Sequence, residues 1–172
     1  MRGGSSCFSY SIRDWMPALK RTDVHSPSVR SFNMSRIRSV DTAPEMLIRR
    51  GLHARGRRFR LHTPNVPGRP DLLFPKHQAA FFVHGCFWHG HTCPLFRVPA
   101  SRTEFWIRKI GANRLRDQRN SQELVAQGWR VLVIWECSTR GRAKRPVGEV
   151  LDLCESFLDG DTKRMEITGE WE

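Results

Sequence analysis

The chain has 172 residues, of which 39% are hydrophobic and 10% aromatic, a composition typical of one globular domain. No apolar run approaches the roughly 20 residues of a membrane span, and no secretory signal follows Met1, so we expect a cytoplasmic protein with reduced cysteines. Lysine and arginine (29) exceed aspartate and glutamate (17). The net charge of +12 favours nucleic acid as partner, although a merely basic soluble protein would share it.

Composition along the chain suggests its domain organisation. Residues 1–30 are rich in Ser, Arg and Pro with little periodicity, and we predict a flexible basic arm there. The patterned segments fall within 31–160, which we predict to be one domain, and residues 161–172 are predicted as a C-terminal tail.

The first patterned segment, 41–56, predicts a helix. Thr42 and Glu45 have the spacing of a capping box, and Gly56 is placed to end the helix. Residues 57–61 alternate in polarity and predict a strand, and the prolines and glycine that follow predict a loop.

Two apolar runs, DLLFP and QAAFFVHG, are separated by a turn at Lys76–His77 and predict a pair of central strands in a hairpin. A long loop over 85–101 follows. The capping-box spacing of SRTE then begins a predicted helix over 103–127, which we expect to be interrupted near Gly111 and closed by Gly128.

The segment WRVLVIWEC (129–137) predicts the most apolar strand of the chain, and 147–158 predicts a final helix. The face of that helix that we expect to be buried carries Val150, Leu151, Leu153, Cys154 and Phe157. The element order α-β-β-β-α-β-α predicts a mixed β-sheet flanked by helices.

The run VHGCFWHGHTCPLF, residues 83–96, has a composition that neither a core strand nor a surface loop requires. Cys86, His91 and Cys93 offer three metal ligands within eight residues, and Cys137, at a strand end, is the candidate fourth ligand for tetrahedral zinc. A closed site of this kind has no open position, so the zinc would be structural. Unpaired buried thiols are the alternative interpretation.

Asp71 and His84 are candidates for a second site. Asp71 opens one apolar strand and His84 ends the next, so their side chains can meet at one end of the sheet. A carboxylate suits Mg²⁺, which prefers oxygen ligands. From local sequence alone, an aspartate that caps the turn after Pro70 is an equally good interpretation.

The segments PGRPDLLF, VHGCFWHGHTCPLFRVPASRTEFWIRKIGANRLRDQR and GWRVLVIWEC resemble the very short patch repair (Vsr) endonucleases, and the similarity runs from about Thr22 to Gly141. The resemblance implies an α/β, restriction-endonuclease-like fold with a central mixed β-sheet and a structural zinc site. It also implies that the protein nicks duplex DNA 5′ to the T of a T:G mismatch, which arises when 5-methylcytosine deaminates. A cytosine-5 DNA methyltransferase, mismatch-repair proteins and a location at the bacterial nucleoid are implied in the same way.

The resemblance assigns the metal ligands residue by residue. Asp71 and the Val83 carbonyl would hold Mg²⁺, and Glu45 would join the outer shell of the metals. The family's zinc ligands correspond to Cys86, His91, Cys93 and Cys137, the set proposed above from spacing.

The resemblance also assigns catalytic roles. His84 would contact the metal-bound water and the phosphate, and His89, oriented by Asp117, would be the general base or acid. Related restriction-type nucleases usually carry an acidic residue, any residue and lysine where this chain reads Phe82-Val83-His84. The family shares this histidine, which leaves one carboxylate to do most of the metal binding.

Five residues match positions with which the family contacts DNA. Phe87, Trp88 and Trp106 would insert beside the mismatch, and Lys109 and Asn113 would contact the mismatched bases or their neighbours. Periodicity alone would favour core packing for Trp106. One nicked strand needs one active site, so we expect a monomer.

Two other functions remain open from the sequence. A non-catalytic, zinc-stabilised DNA-binding module would explain the charge and the Cys/His cluster. A restriction or homing nuclease of the same fold would explain the catalytic residues without a mismatch.

Overall fold

The computed structural model describes residues 40–171 and, ahead of them, residues 26, 28, 29, 31 and 32. Nearly all of the predicted arm over 1–30 lies outside the described residues. The α-helices of segment 40–171 are α1 (Ala43–Ala54), α2 (Thr103–Ala126) and α3 (Val147–Asp159), and its strands are β1 (Arg60–Leu61), β2 (Leu72–Phe74), β3 (Ala79–His84), β4 (Arg130–Trp135) and β5 (Arg164–Ile167). Short 3-10 helices at Pro75–His77 and Glu136–Ser138 follow β2 and β4. No helix in this segment is long and apolar enough to cross a membrane.

The five strands form one mixed sheet in the order β1-β2-β3-β4-β5. The β1–β2 and β2–β3 pairs are antiparallel, which confirms the predicted hairpin, and β3–β4 and β4–β5 are parallel. Buried side chains of α1 and α3 pack on one face, whereas Leu124 of α2 packs on the other face against Leu73, Ala80 and Val131. Helices therefore flank a mixed sheet, as the element order predicted.

The predicted element order needs one correction, because it lacks β5. This strand lies within residues 161–172, which were predicted as a tail, and its four residues include only Met165 and Ile167 as apolar side chains. Ile167 is paired with Ile134 of β4 and is buried, whereas Arg164 and Glu166 are exposed. So short an edge strand gives a weak period-two signal.

The helix starts show where local capping rules succeed and fail. At α1, Thr42 Oγ1 accepts the N–H of Glu45, and Glu45 Oε2 accepts the N–H of Thr42 (both 3.4 Å), so that capping box is confirmed. At α2 the prediction from SRTE is wrong. The N-cap residue is Arg102, in a left-handed conformation without a side-chain cap, and the Thr103 hydroxyl donates to preceding main-chain carbonyls instead.

The predicted interruption of α2 near Gly111 is also wrong, since the helix runs unbroken from Thr103 to Ala126. A Cβ at Gly111 would meet no atom within 4 Å. The low helix propensity of glycine therefore lowers the stability of α2 by only about 1 kcal/mol, and the packing of the helix offsets this loss. The predicted end of the helix is confirmed, because Gly128 takes a positive φ of 87° two residues after Ala126.

Arg130 ties β4 to the end of α3. Its guanidinium donates to Phe157 O (2.6 Å) and Leu158 O (2.9 Å) in the last turn of α3, where carbonyls lack intrahelical amide donors, and to His77 O (2.8 Å) just before β3. We expect Arg130→Met to lower the free energy of unfolding by about 2–3 kcal/mol, measured by urea titration. Arg119→Met, at an exposed position of α2, should change it by less than about 0.5 kcal/mol.

Candidate active site

A cleft of about 1100 Å³ opens where the carboxyl ends of β3 and β4 approach α2. Its lining is basic, with arginines from four different parts of the chain. They are Arg69, Arg114, Arg116, Arg140 and Arg164. A cleft of this size and charge is suited to a polyanion.

Asp71 lies at the floor of this cleft, directly before β2. Its Oδ2 accepts the N–H of Val83 (2.7 Å), which fixes the carboxylate beside the end of β3. Burial, and secondarily the charge of Glu45, raise the pKa of Asp71 to about 6. The Val83 hydrogen bond and the proximity of His62 and His89 act in the opposite direction without outweighing burial, and a bound cation would supply further positive charge.

Glu45 is almost fully buried on α1, where Arg49 contacts its Oε1 at 3.2 Å and His62 at 3.6 Å. Asp41, Glu45 and His62 bring ligand atoms within 4.8 Å of one another. Arg49 pairs with both acidic residues of this group, and its single positive charge compensates only one of the two carboxylates. Glu45 thus contributes negative charge near Asp71 and caps α1 at the same time.

The structure brings His84, His89 and Asp117 together. The two imidazoles stack with centroids 3.7 Å apart and planes within 5°, and His89 Nδ1 lies 2.5 Å from Asp117 Oδ2. Burial, followed by the proximity of His89, lowers the pKa of His84 to about 3, so this ring is neutral. Burial, the largest single effect, acts to raise the pKa of Asp117, but the His89 hydrogen bond and the neighbouring charges together outweigh it, and the pKa lies below its usual range.

The five residues matched to DNA contacts form one cluster beside the cleft. Phe87 lies 5.1 Å from Trp88 and 5.2 Å from Trp106, measured between ring centroids. Lys109 Nζ lies 5.6 Å from the Trp88 ring, and Asn113 Nδ2 donates to Trp88 O (2.9 Å). The aromatic rings pack on one another near the surface and are not part of either hydrophobic core.

Cys86, His91, Cys93 and Cys137 bring their ligand atoms within 4.8 Å of one another. His91 Nδ1 lies 3.6 Å from Cys86 Sγ and 3.5 Å from Cys137 Sγ. A hydrogen bond with Cys86, aided by His91, lowers the pKa of Cys137 below its usual range. Three sulfurs and one imidazole nitrogen form a candidate metal site, and soft donors in this number are those that tetrahedral zinc takes.

Sequence analysis did not single out Trp135, which lies beside both sites. It is paired in register with His84 across the parallel β3–β4 pair, and its ring stacks on His91 with centroids 4.2 Å apart. The sequence feature that could have indicated this role is the position of the tryptophan at a predicted strand end, two residues before Cys137.

The comparisons with known proteins identify one family of DNA endonucleases. The family model described as DNA mismatch endonuclease Vsr matches residues 22–95. Type II nicking enzyme V.XorIIP of Xanthomonas oryzae pv. oryzae is 47% identical over 133 residues, covering 76% of this chain and 98% of the relative. DNA mismatch endonuclease Vsr of Escherichia coli is 43% identical over 145 residues, covering 84% and 93%. Type II nicking enzyme V.NmeAIP of Neisseria meningitidis is 42% identical over 122 residues, covering 71% and 87%.

The site and these relatives define the protein as an endonuclease that hydrolyses DNA. The chain belongs to the Vsr family of DNA mismatch endonucleases, and this membership implies a restriction-endonuclease-like fold for its mixed sheet. A non-catalytic DNA-binding module is thereby set aside.

Proposed function

We propose that this endonuclease nicks duplex DNA 5′ to the T of a T:G mismatch, by Mg²⁺-dependent hydrolysis of one phosphodiester bond. The observation that carries the proposal is the stacked His84–His89 pair, held by Asp117 and facing the same basic cleft as Asp71.

The donor set around Asp71 fits a hard divalent cation. The carboxylate is partly buried, its pKa is raised, and Glu45 adds further negative charge. We assign the ligands to Asp71 and the Val83 carbonyl, with Glu45 in the outer shell, and the chemistry that Mg²⁺ supplies when bound is charge stabilisation at the scissile phosphate. The Cys86, His91, Cys93 and Cys137 group is assigned to structural Zn²⁺.

The histidines divide the proton chemistry. Asp117 occupies Nδ1 of His89, so the proton that leaves the attacking water or reaches the leaving oxygen moves at Nε2. His84 is buried and uncharged, and it contacts the phosphate side of the site as a neutral hydrogen-bonding group. Stacking of the two rings keeps both facing the cleft.

Mismatch selection would come from the aromatic cluster. Insertion of Phe87, Trp88 and Trp106 between base steps costs a few kcal/mol of stacking energy, and the cost is least where base pairing is already defective. Lys109, above the Trp88 ring, is placed to meet the backbone or a base edge. The arginine lining would supply affinity for any duplex and should make binding fall steeply with salt.

The direct test is nicking of a labelled duplex that contains one T:G mismatch, beside T:A and C:G controls, with Mg²⁺ and with EDTA. We expect a Mg²⁺-dependent nick 5′ to the mismatched T and intact controls. Equal cutting of the paired duplexes would instead indicate a restriction or homing nuclease. Nicking at full rate in EDTA would remove Mg²⁺ from the proposal.

Trp88→Ala should reduce the preference for T:G over T:A duplexes, because one of the aromatic rings proposed to insert beside the mismatch is lost. We expect affinity for the T:G duplex to fall about 10- to 100-fold and affinity for the T:A duplex to fall much less, measured by fluorescence anisotropy. Leu115→Ala, at a 71% exposed apolar position on α2, is the control and should leave both affinities unchanged. An equal loss for both duplexes would contradict the role of Trp88.

The biological setting follows from the proposed substrate. T:G mismatches at methylated cytosines require a cytosine-5 DNA methyltransferase in the same cell, and resynthesis after the nick requires other repair proteins. We place the enzyme, as a monomer, on chromosomal DNA at the bacterial nucleoid.

A further inference from the structure

One indole contacts the imidazoles of both sites. Trp135 stacks on His91 with a centroid distance of 4.2 Å and an interplanar angle of 12°. Its ring also meets His84 edge-on at 5.4 Å and His89 at 6.5 Å. The Cys/His group and the catalytic histidine pair therefore share a single packing partner.

The orientation of this indole is fixed from β5. Trp135 Nε1 donates to Glu166 Oε2 at 2.8 Å. Glu166 pairs in register with Val133 on the neighbouring β4, so its side chain reaches along the sheet to a residue near the strand end. An indole N–H has one donor and no acceptor, and this hydrogen bond selects one of the ring's two flat orientations.

His84 depends on such packing more than His89 does. Asp117 holds His89 by a hydrogen bond. Among the described residues, no side-chain hydrogen bond is found for the His84 ring, which packs on the rings of Phe82 at 5.6 Å, His89 and Trp135, with Asp117 nearby. Rotation of the Trp135 indole would remove one of the ring contacts that hold His84 in place.

We propose that Glu166 is a positioning residue for the catalytic histidine pair and acts through the indole N–H of Trp135. The same ring links the pair to His91, so the Cys/His group and the proton-transfer group are held in one rigid unit. This inference rests on the proposed roles of His84 and His89. A misplaced acid or base slows the chemical step without weakening DNA binding to the same extent, because small displacements of catalytic groups cost rate more than affinity.

The test uses the full chain with Glu166→Ala, Glu166→Gln and Trp135→Phe, in single-turnover nicking with enzyme in excess. For Glu166→Ala we expect a loss of about tenfold or more in rate, with binding of the T:G duplex no weaker than about twofold relative to the parent, because the variant removes a negative charge from the lining of the basic cleft. Glu166→Gln keeps an oxygen acceptor for the indole N–H and should lose less than about threefold. Glu123→Ala, an exposed glutamate on α2, is the matched control and should nick at the parent rate.

A double-mutant cycle isolates the proposed contact. If Glu166 acts only through the N–H, Glu166→Ala should cost nothing further in a Trp135→Phe background. Additive losses would overturn the proposal, as would equal losses for Glu166→Ala and Glu166→Gln, or a loss confined to DNA affinity.

Histidine NMR spectra separate this inference from the proposed function. Glu166→Ala should shift and broaden the imidazole signals of His84, whereas Glu123→Ala should not. If the parent protein failed to nick T:G DNA, the proposed function would fail, and the NMR comparison would still decide whether Glu166 positions the ring. Unchanged His84 signals in Glu166→Ala would overturn the inference by themselves.

Discussion

Asp71→Asn is expected to abolish nicking and to stabilise the metal-free protein. The amide keeps an oxygen that can accept the N–H of Val83 but cannot provide the negative charge that a divalent cation needs, so we expect a loss of at least about a thousandfold in nicking rate.

The stability change has the opposite sign and a defined pH range. The pKa of Asp71 is about 6 in the folded protein, against 3.8 for an ordinary aspartate, so ionisation of this carboxyl destabilises the fold. This destabilisation is absent below the ordinary aspartate pKa of 3.8, where Asp71 is protonated in both states, and it reaches its full size as pH rises through 6. In EDTA, Asp71→Asn should raise the free energy of unfolding by about 2 kcal/mol near pH 8 and by almost nothing near pH 4.

Urea titration at several pH values in EDTA measures this difference. Asp161→Asn, at an exposed position, is the control and should leave the stability profile unchanged. A destabilised Asp71→Asn protein at pH 8 would mean that the carboxylate has a compensating partner. Nicking at the parent rate would remove Asp71 from the active site.

Cys93→Ala is expected to lose bound zinc and much of the stability of the domain. The group ties the loop after β3 to the turn after β4, so removing one ligand releases both segments and leaves two buried thiols without a metal. We expect a loss on the order of 5 kcal/mol in the free energy of unfolding and less than one zinc per chain by atomic absorption.

Cys154→Ala is the matched control, because this buried thiol of α3 lies in the hydrophobic core away from the group. It should cost about 1 kcal/mol for the lost packing and retain zinc. Chelation should lower the melting temperature of the parent and of Cys154→Ala but not that of Cys93→Ala. If chelation left the melting temperature of the parent protein unchanged, a structural role for the metal would be contradicted.

Local sequence predicted those parts of the fold that are stabilised by interactions between residues close together in the chain. The capping box at Thr42, the hairpin of β2 and β3, and the end of α2 at Gly128 each depend on a few adjacent residues, and each is present. The SRTE prediction failed because the backbone of Arg102 is left-handed, which the spacing of Ser and Glu does not reveal. The strand β5 was missed because its stability comes from pairing with β4, not from its own four residues.

The candidate site also has parts that local sequence could predict and parts that it could not. The zinc set could be proposed from Cys86, His91 and Cys93 because they are close in sequence, and the structure brings Cys137 to them. The roles of His89 and Asp117 came from family resemblance, since 28 residues separate them in the sequence. The contact of Trp135 with Glu166 could not be predicted at all, because it requires knowing that β5 lies beside β4.

The spread of the Cys/His ligands along the chain has a consequence for the order of folding. Three ligands lie on the loop between β3 and α2, whereas Cys137 follows β4 and becomes their neighbour only when β4 pairs with β3. Long-range parallel pairing is slow compared with helix formation. During synthesis, the nascent chain therefore presents an incomplete, three-ligand site until α2 and β4 have emerged, and we expect full zinc uptake to report the last cooperative step of folding.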